Sequence, residues 1–157
     1  MNLSPSAYKV QQALNAYQVH LEVVELPEST RSAVEAAQAI GCQVEQIVKS
    51  LIFRSKDTSR PVMVIASGPN RVNEKKIGEL FGEPIAKADA EFVRARTGFV
   101  IGGVPPAGHT ESIPIYIDED LLQYEEIWAA AGTPHAVFRL KPADLLKITS
   151  GRVIDIR

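Results

Sequence analysis

Ile47-Val48-Lys49-Ser50-Leu51-Ile52-Phe53 is an apolar run broken by one cation and one hydroxyl. Val, Ile and Leu in nearly continuous order suit a strand covered on both faces, so the run reads as a buried strand. An ammonium group on such a strand is costly unless it finds a partner or a cleft. Lysine also has a long apolar stem and can snorkel to water from a strand end. Lys49 is therefore either a strand-end residue reaching solvent or a charge facing a site.

Downstream, Lys56-Asp57-Thr58-Ser59-Arg60 reads as a turn and Val62-Met63-Val64-Ile65-Ala66 as the next strand. The two runs predict an antiparallel hairpin with a five-residue loop. Gly68-Pro69-Asn70 then breaks the chain. Asn73 caps a helix through Phe81, closed by Gly82. Ile85-Ala86 is a short strand. Asp89 caps a helix through Arg96, closed by Gly98, and Phe99-Val100-Ile101 is expected as a strand entering a glycine-proline loop.

Upstream, Ser4-Pro5 opens a helix with a serine cap and proline in the first turn. Ala7, Val10, Leu14 and Tyr17 recur at helical spacing, and Tyr8 and Tyr17 are expected in the core. His20 to Leu26 reads as a strand ended by Pro27, and 27–31 as a polar loop. Ser32 with Glu35 forms a capping box, Ala33, Ala36, Ala37 and Ile40 continue the helix, and Gly41 closes it. A helical turn from Val44 to Ile47 leads into the Lys49 strand.

Beyond the loop, Ile113 to Ile117 is a strand with Asp118 at its end, followed by one helical turn to Leu122. Glu126–Ala130 and Ala136–Leu140 flank Gly132-Thr133-Pro134-His135 as a second hairpin, with Trp128 and Phe138 expected in the core. Pro142 to Ile148 is a helix, and Val153 to Ile156 a final strand. Adjacent hairpins interrupted by helices predict an α+β domain over residues 1–157, with a mixed, strongly curved, barrel-like sheet and flanking helices.

At 157 residues, with 45% apolar and 23% charged residues, the chain is long enough for a real core. It has no apolar stretch of membrane-span length. Met1-Asn2-Leu3-Ser4-Pro5 lacks the basic head and apolar core of a secretory signal. A lone cysteine, Cys42, cannot form an internal disulfide, which fits a reducing cytoplasm. A net charge of −2 argues against broad, non-specific binding to nucleic acid through many phosphate contacts, without excluding a local basic patch, and no DNA partner is expected. Arg71, Lys75, Lys76, Lys87, Arg94 and Arg96 are interleaved with acids, the pattern of a solvated helical face. No exposed heptad is present, so a monomer is expected.

Several chemistries lack their residues. His20, His109 and His135 are far apart and show no metal-ligand spacing. Cys42 follows a helix-ending glycine and reads as a small apolar residue rather than a nucleophile. There is no Gly-x-Ser-x-Gly elbow and no dinucleotide or phosphate loop. Asp118-Glu119-Asp120 reads as a cap rather than a cation site. No metal or cofactor is expected. What remains is Gly102-Gly103-Val104-Pro105-Pro106-Ala107-Gly108. Glycines permit unusual dihedrals, prolines fix others, and prolines remove donors. Such a loop is either a rigid turn closing a sheet or a backbone cradle for a small group.

These residues resemble a known family. Ile47 to Phe53 resembles the lysine strand of the YbaK-like aminoacyl-tRNA editing domains, which include the editing insertion of bacterial prolyl-tRNA synthetase and its free-standing relatives. Thr97-Gly98-Phe99-Val100-Ile101-Gly102-Gly103-Val104-Pro105-Pro106-Ala107-Gly108 resembles that family's Gly-x-x-x-Pro loop, with Gly102 and Pro106 at the defining places. Element order and length agree over nearly the whole chain.

The resemblance implies hydrolysis of the ester joining a wrong amino acid to the 3′-terminal adenosine of a tRNA. Prolyl-type tRNA carrying cysteine, alanine, serine or threonine is the implied substrate. Lys49 would be the essential cation. Gly102 and Gly103, with Val104, Pro105 and Pro106, would hold the aminoacyl group by main-chain contacts and position a water. Asp118 resembles the acidic residue at that strand end in several members, and Thr30 and Ser50 would line the pocket. The implied partner is the acceptor end of an aminoacyl-tRNA, alone or beside an aminoacyl-tRNA synthetase. An activated ester with a vicinal ribose hydroxyl needs positioning and charge stabilisation rather than a triad or metal. The alternative is a binding or regulatory module that keeps the pocket without the reaction.

Overall fold

The computed structural model describes residues 3–157; Met1 and Asn2, part of the amino-terminal stretch read above, lie outside the described residues. The Lys49 segment is strand β2 (Ile47–Ser55), and it forms the expected hairpin with β3 (Pro61–Ser67). The register pairs Lys49 with Ala66 and Phe53 with Val62. Every residue of β3 is buried, because it lies inside the sheet with apolar side chains on both faces. Met63 and Ile65 pack on one face with Val48 and Ile52, and Val62 and Val64 pack on the other with Phe53. Burying one such side chain contributes about 1.5–3 kcal/mol, so this hairpin is the spine of the fold.

The remaining strands are β1 (Val23–Glu25), β4 (Ile85–Lys87), β5 (Ile115–Asp118), β6 (Ile127–Ala130), β7 (Ala136–Leu140) and β8 (Arg152–Ile154). The sheet runs β1-β7-β6-β2-β3-β5-β8, with β4 on β2 off this path. Pairs β2–β6, β3–β5 and β5–β8 are parallel and the others antiparallel. The mixed sheet of an α+β domain is thus present. It is open rather than closed as a barrel: β1 and β8 end the path and do not pair with each other.

Among the described residues, five α-helices flank it: α1 (Pro5–Asn15), α2 (Ala33–Ile40), α3 (Glu74–Phe81), α4 (Ala90–Thr97) and α5 (Pro142–Thr149). Their ends follow the local chemistry. Ser32 and Glu35 form the capping box of α2, Asn73 and Asp89 cap α3 and α4, and Gly41, Gly82 and Gly98 close them in the left-handed conformation.

Three expectations need correction. Phe99-Val100-Ile101 is not a strand. It lies between Gly98 and Gly102, both at positive φ, and the Val100 carbonyl accepts the Gly103 N–H in a turn. Two left-handed residues so close together leave no extended run to pair. Tyr8 and Tyr17 are not core residues, at 55% and 36% exposure. The buried stripe of α1 is Ala7, Val10 and Leu14, and Tyr8 is rotated off it while Tyr17 lies past its end. The first strand covers Val23–Glu25 rather than His20 to Leu26.

Candidate active site

A cavity of about 760 Å³ opens where the sheet splits. β2 has β6 beside it at Ile47 and Val48, and β4 beside it from Phe53 onward. The stretch between faces open space, bounded by α2, by Val93 of α4 and by the loop after α4. Thr30, Lys49, Ser50, Gly102 and Val104 all line it, so the lysine strand and the glycine-proline loop share one cavity. Gly103, Pro105, Pro106 and Asp118 do not line it.

Lys49 is half-buried, and its Nζ donates to the main-chain oxygen of Asn70 at 3.0 Å. Burial pushes its pKa down; the Asp118 carboxylate opposes that fall and the Arg71 guanidinium adds to it. Asp118 is 1% exposed. Its carboxylate accepts from Ser67 N–H, Asn70 Nδ2 and Asp120 N–H at 2.8–3.0 Å. Asp118 therefore acts on the cavity from behind, through Asn70 and through its field at Lys49.

The loop is fixed from the side away from the cavity. Gly103 O accepts the Gly132 N–H at 2.8 Å, and a Cβ at Gly103 would lie 2.8–2.9 Å from the Thr133 backbone. His109 Nε2 donates to the Pro105 carbonyl at 2.7 Å, which requires the Nε2–H tautomer, and burial holds the ring's pKa below its ordinary value. Pro105 and Pro106 are buried beneath the loop. Gly102, at φ +89°, meets the Arg31 side chain. Gly102 and Val104 thus present the loop's surface, while Gly103 and the prolines hold its shape.

Thr30 and Ser50 present less side-chain chemistry than expected. The Thr30 hydroxyl donates to the Pro134 carbonyl at 2.8 Å and ties the 27–31 loop to the β6–β7 connection. The Ser50 Oγ is buried, with no hydrogen-bond partner among the described residues.

Sequence reasoning missed Arg31, Asn70, Arg71, Lys87 and Trp128, all of which line the cavity. Arg71 and Lys87 are expected on a mixed-charge solvated face, and Trp128 in the core; Trp128 is instead half-buried and lines the cavity. The hairpin register carried a usable signal: Val48 opposite Ser67 brings the residues just after β3 alongside the start of the lysine strand. Cys42 packs against the cluster of Ala36, Ala37 and Ile47, and burial pushes its thiol pKa up, as suits an inert apolar residue.

Fold and site together define an α+β domain whose open mixed sheet holds a cation-bearing cavity closed on one side by a glycine-proline loop. The chain belongs to the aminoacyl-tRNA editing domain family, whose match spans residues 27–148. It is 52% identical to a solved structure described as a candidate trans-editing enzyme for prolyl tRNA synthetase, with a TM-score of 0.93 and 99% of each chain covered. It is 29% identical to the uncharacterised protein YwhH of Bacillus subtilis (strain 168), over 86% of each chain. It is 34% identical, over 55% of its length, to the proline–tRNA ligase of Limosilactobacillus fermentum, matching 16% of that longer enzyme. No helix among the described residues is long and apolar enough to cross a membrane.

Proposed function

We propose that this protein is a trans-editing deacylase, hydrolysing the ester between a small, wrongly attached amino acid and the 3′ end of a prolyl-type tRNA. Support comes from one observation: Lys49, Gly102 and Val104 line the same cavity. Its volume, about 760 Å³, falls in the range of small-ligand sites and suits an aminoacyl group with part of the terminal nucleoside. Arg31, Lys49, Arg71 and Lys87, against the single carboxylate of Glu74, give the cavity a net cationic lining that complements the terminal phosphate. The family and the prolyl-tRNA synthetase relatives support the same substrate.

In this reading a water attacks the ester carbonyl carbon. The Lys49 ammonium stabilises the oxyanion that forms. The bond from carbon to ribose oxygen then breaks, the hydroxyl of water stays on the amino acid, and its proton goes to the ribose oxygen. The stiff loop positions the acyl group, an entropic contribution that requires no covalent intermediate. The reaction belongs in the cytoplasm, where misacylated tRNA arises.

The test is deacylation of tRNAs carrying cysteine, alanine, serine and threonine, by the wild type and by Lys49→Ala. The wild type should exceed spontaneous loss on at least one ester, and Lys49→Ala should lose about 100-fold or more of that acceleration. Wild-type rates no faster than spontaneous loss reject the deacylase. Tight binding of an aminoacyl analogue without turnover would identify a binding module.

A further inference from the structure

The open edge of β2 carries its own recognition chemistry. Met63, opposite Ile52, donates its N–H to Pro114 on the β5 side, while the Ile52 carbonyl faces the other way and accepts from Ala88 at 3.4 Å. In an antiparallel pair, opposite residues exchange both main-chain bonds or neither, alternating along the strand. Ile52–Met63 therefore exchanges neither, Leu51–Val64 both, and Ser50–Ile65 neither. The N–H and C=O of Ser50 point away from β3, into the interval where β6 pairing has ended at Val48 and β4 pairing has not begun. That interval is the cavity, and Ser50 lines it. Because the Ser50 hydroxyl is buried, the residue offers the cavity its main chain rather than its side chain.

We propose that the Ser50 main chain brackets the aminoacyl group itself, its N–H donating to the ester carbonyl oxygen and its C=O accepting from the α-ammonium. This rests on the deacylase reading. An aminoacyl ester carries a donor nitrogen and an acceptor carbonyl on either side of one Cα, the same arrangement as a strand residue. It can exchange both bonds with Ser50 as an opposing residue would. A longer peptide cannot: β6 pairing at Val48 and the Ala88 bond to Ile52 close the interval at its two ends, leaving three residues, Lys49 to Leu51, or roughly 10 Å of free edge. The bracket reads atoms shared by every α-aminoacyl ester, so the side chain is left to the surrounding walls. It also places the ester carbonyl beside the strand that carries Lys49.

The test uses the full chain with a main-chain ester at position 50, Ser50→glyceric acid, which removes one N–H and keeps the side chain. The control is the matching substitution at Phe53 (Phe53→3-phenyllactic acid), whose N–H is engaged by β3 and whose ester alters the Ile52 carbonyl and leaves that of Ser50 intact. Alanyl and lactyl esters of one tRNA are compared, each rate divided by that ester's spontaneous hydrolysis. The position-50 ester should reduce kcat/KM for the alanyl ester about 10-fold or more beyond the Phe53 control. The wild type should accelerate the lactyl ester about 10-fold less than the alanyl ester, since the α-ammonium is missing. Wild-type acceleration by the position-50 ester, or equal acceleration of the two substrates, overturns the bracket while leaving the deacylase intact. No acceleration of any ester by the wild type overturns both.

Discussion

Lys49 Nζ donates to the main-chain oxygen of Asn70, 3.0 Å away, and the side-chain amide of the same asparagine is held at 2.8 Å by the buried Asp118 carboxylate. A cation on an apolar strand is thereby anchored by a neutral oxygen while its countercharge stands one residue behind. Direct pairing with the carboxylate would neutralise the ammonium. The arrangement observed keeps the charge available to the cavity.

Asp118→Asn should act at two levels. It removes acceptor capacity for the three donors from Ser67, Asn70 and Asp120. The expected cost is about 1–3 kcal/mol, a fall in Tm of roughly 2–10 °C, read by calorimetry. It also removes the field that opposes the fall in the Lys49 pKa. The alkaline limb of the deacylation pH profile should therefore move to lower pH.

Arg71→Ala should do the opposite at Lys49. The guanidinium depresses the lysine's pKa, so its removal raises it and shifts the alkaline limb to higher pH. Affinity for tRNA should weaken at the same time if Arg71 meets phosphate. The pH–rate profile and a salt titration of KM separate the two effects.

The two glycines of the loop should differ in kind. At Gly103 a Cβ meets Thr133 backbone, which cannot step aside, so Gly103→Ala should undock the loop and lower Tm by several degrees, roughly 4–10 °C. At Gly102 the obstacle is the movable Arg31 side chain, and the cost is mainly the positive φ, about 1 kcal/mol. Gly102→Ala should therefore fold nearly as well as wild type while losing activity.

Thr30→Val and Ser50→Ala should move stability in opposite directions. The first removes a buried hydroxyl that donates to Pro134, at a cost of about 1 kcal/mol. The second removes a buried hydroxyl with no partner among the described residues, so Tm should hold or rise.

Glu83 clamps the β2–β3 turn by accepting from Ser55, Thr58 and Arg60, and these bonds hold its pKa at about 2, below the ordinary 4.5. A carboxyl depressed in the folded state contributes stability in full above its unfolded value and loses it as pH falls through the folded one. Glu83→Gln should lower Tm at neutral pH, and the gap to wild type should close between about pH 4.5 and 2.

The helices were legible because their signals are local. Ser32 with Glu35, Asn73, Asp89 and the closing glycines act within one turn of the chain, and each caps the helix expected of it. The β2–β3 hairpin was legible for a similar reason, two apolar runs joined by a short turn. The segment after Gly98 misled because a three-residue apolar run looks extended until the left-handed glycines at both ends are counted.

The sequence by itself determined the caps of α2, α3 and α4, the hairpin, the placement of one lysine in an apolar strand and a loop stiffened by glycine and proline, because each depends on residues near one another in the chain; the Ser4 hydroxyl, expected to cap α1, makes no capping hydrogen bond. Tertiary structure alone decided that β6 and β4 leave a gap along β2, that Asn70 and Arg71 reach the lysine, and that Asp118 acts from behind rather than in the cavity. Those outcomes depend on which distant strands pair and where each pairing stops. That is a property of the assembled sheet, and no local pattern encodes it.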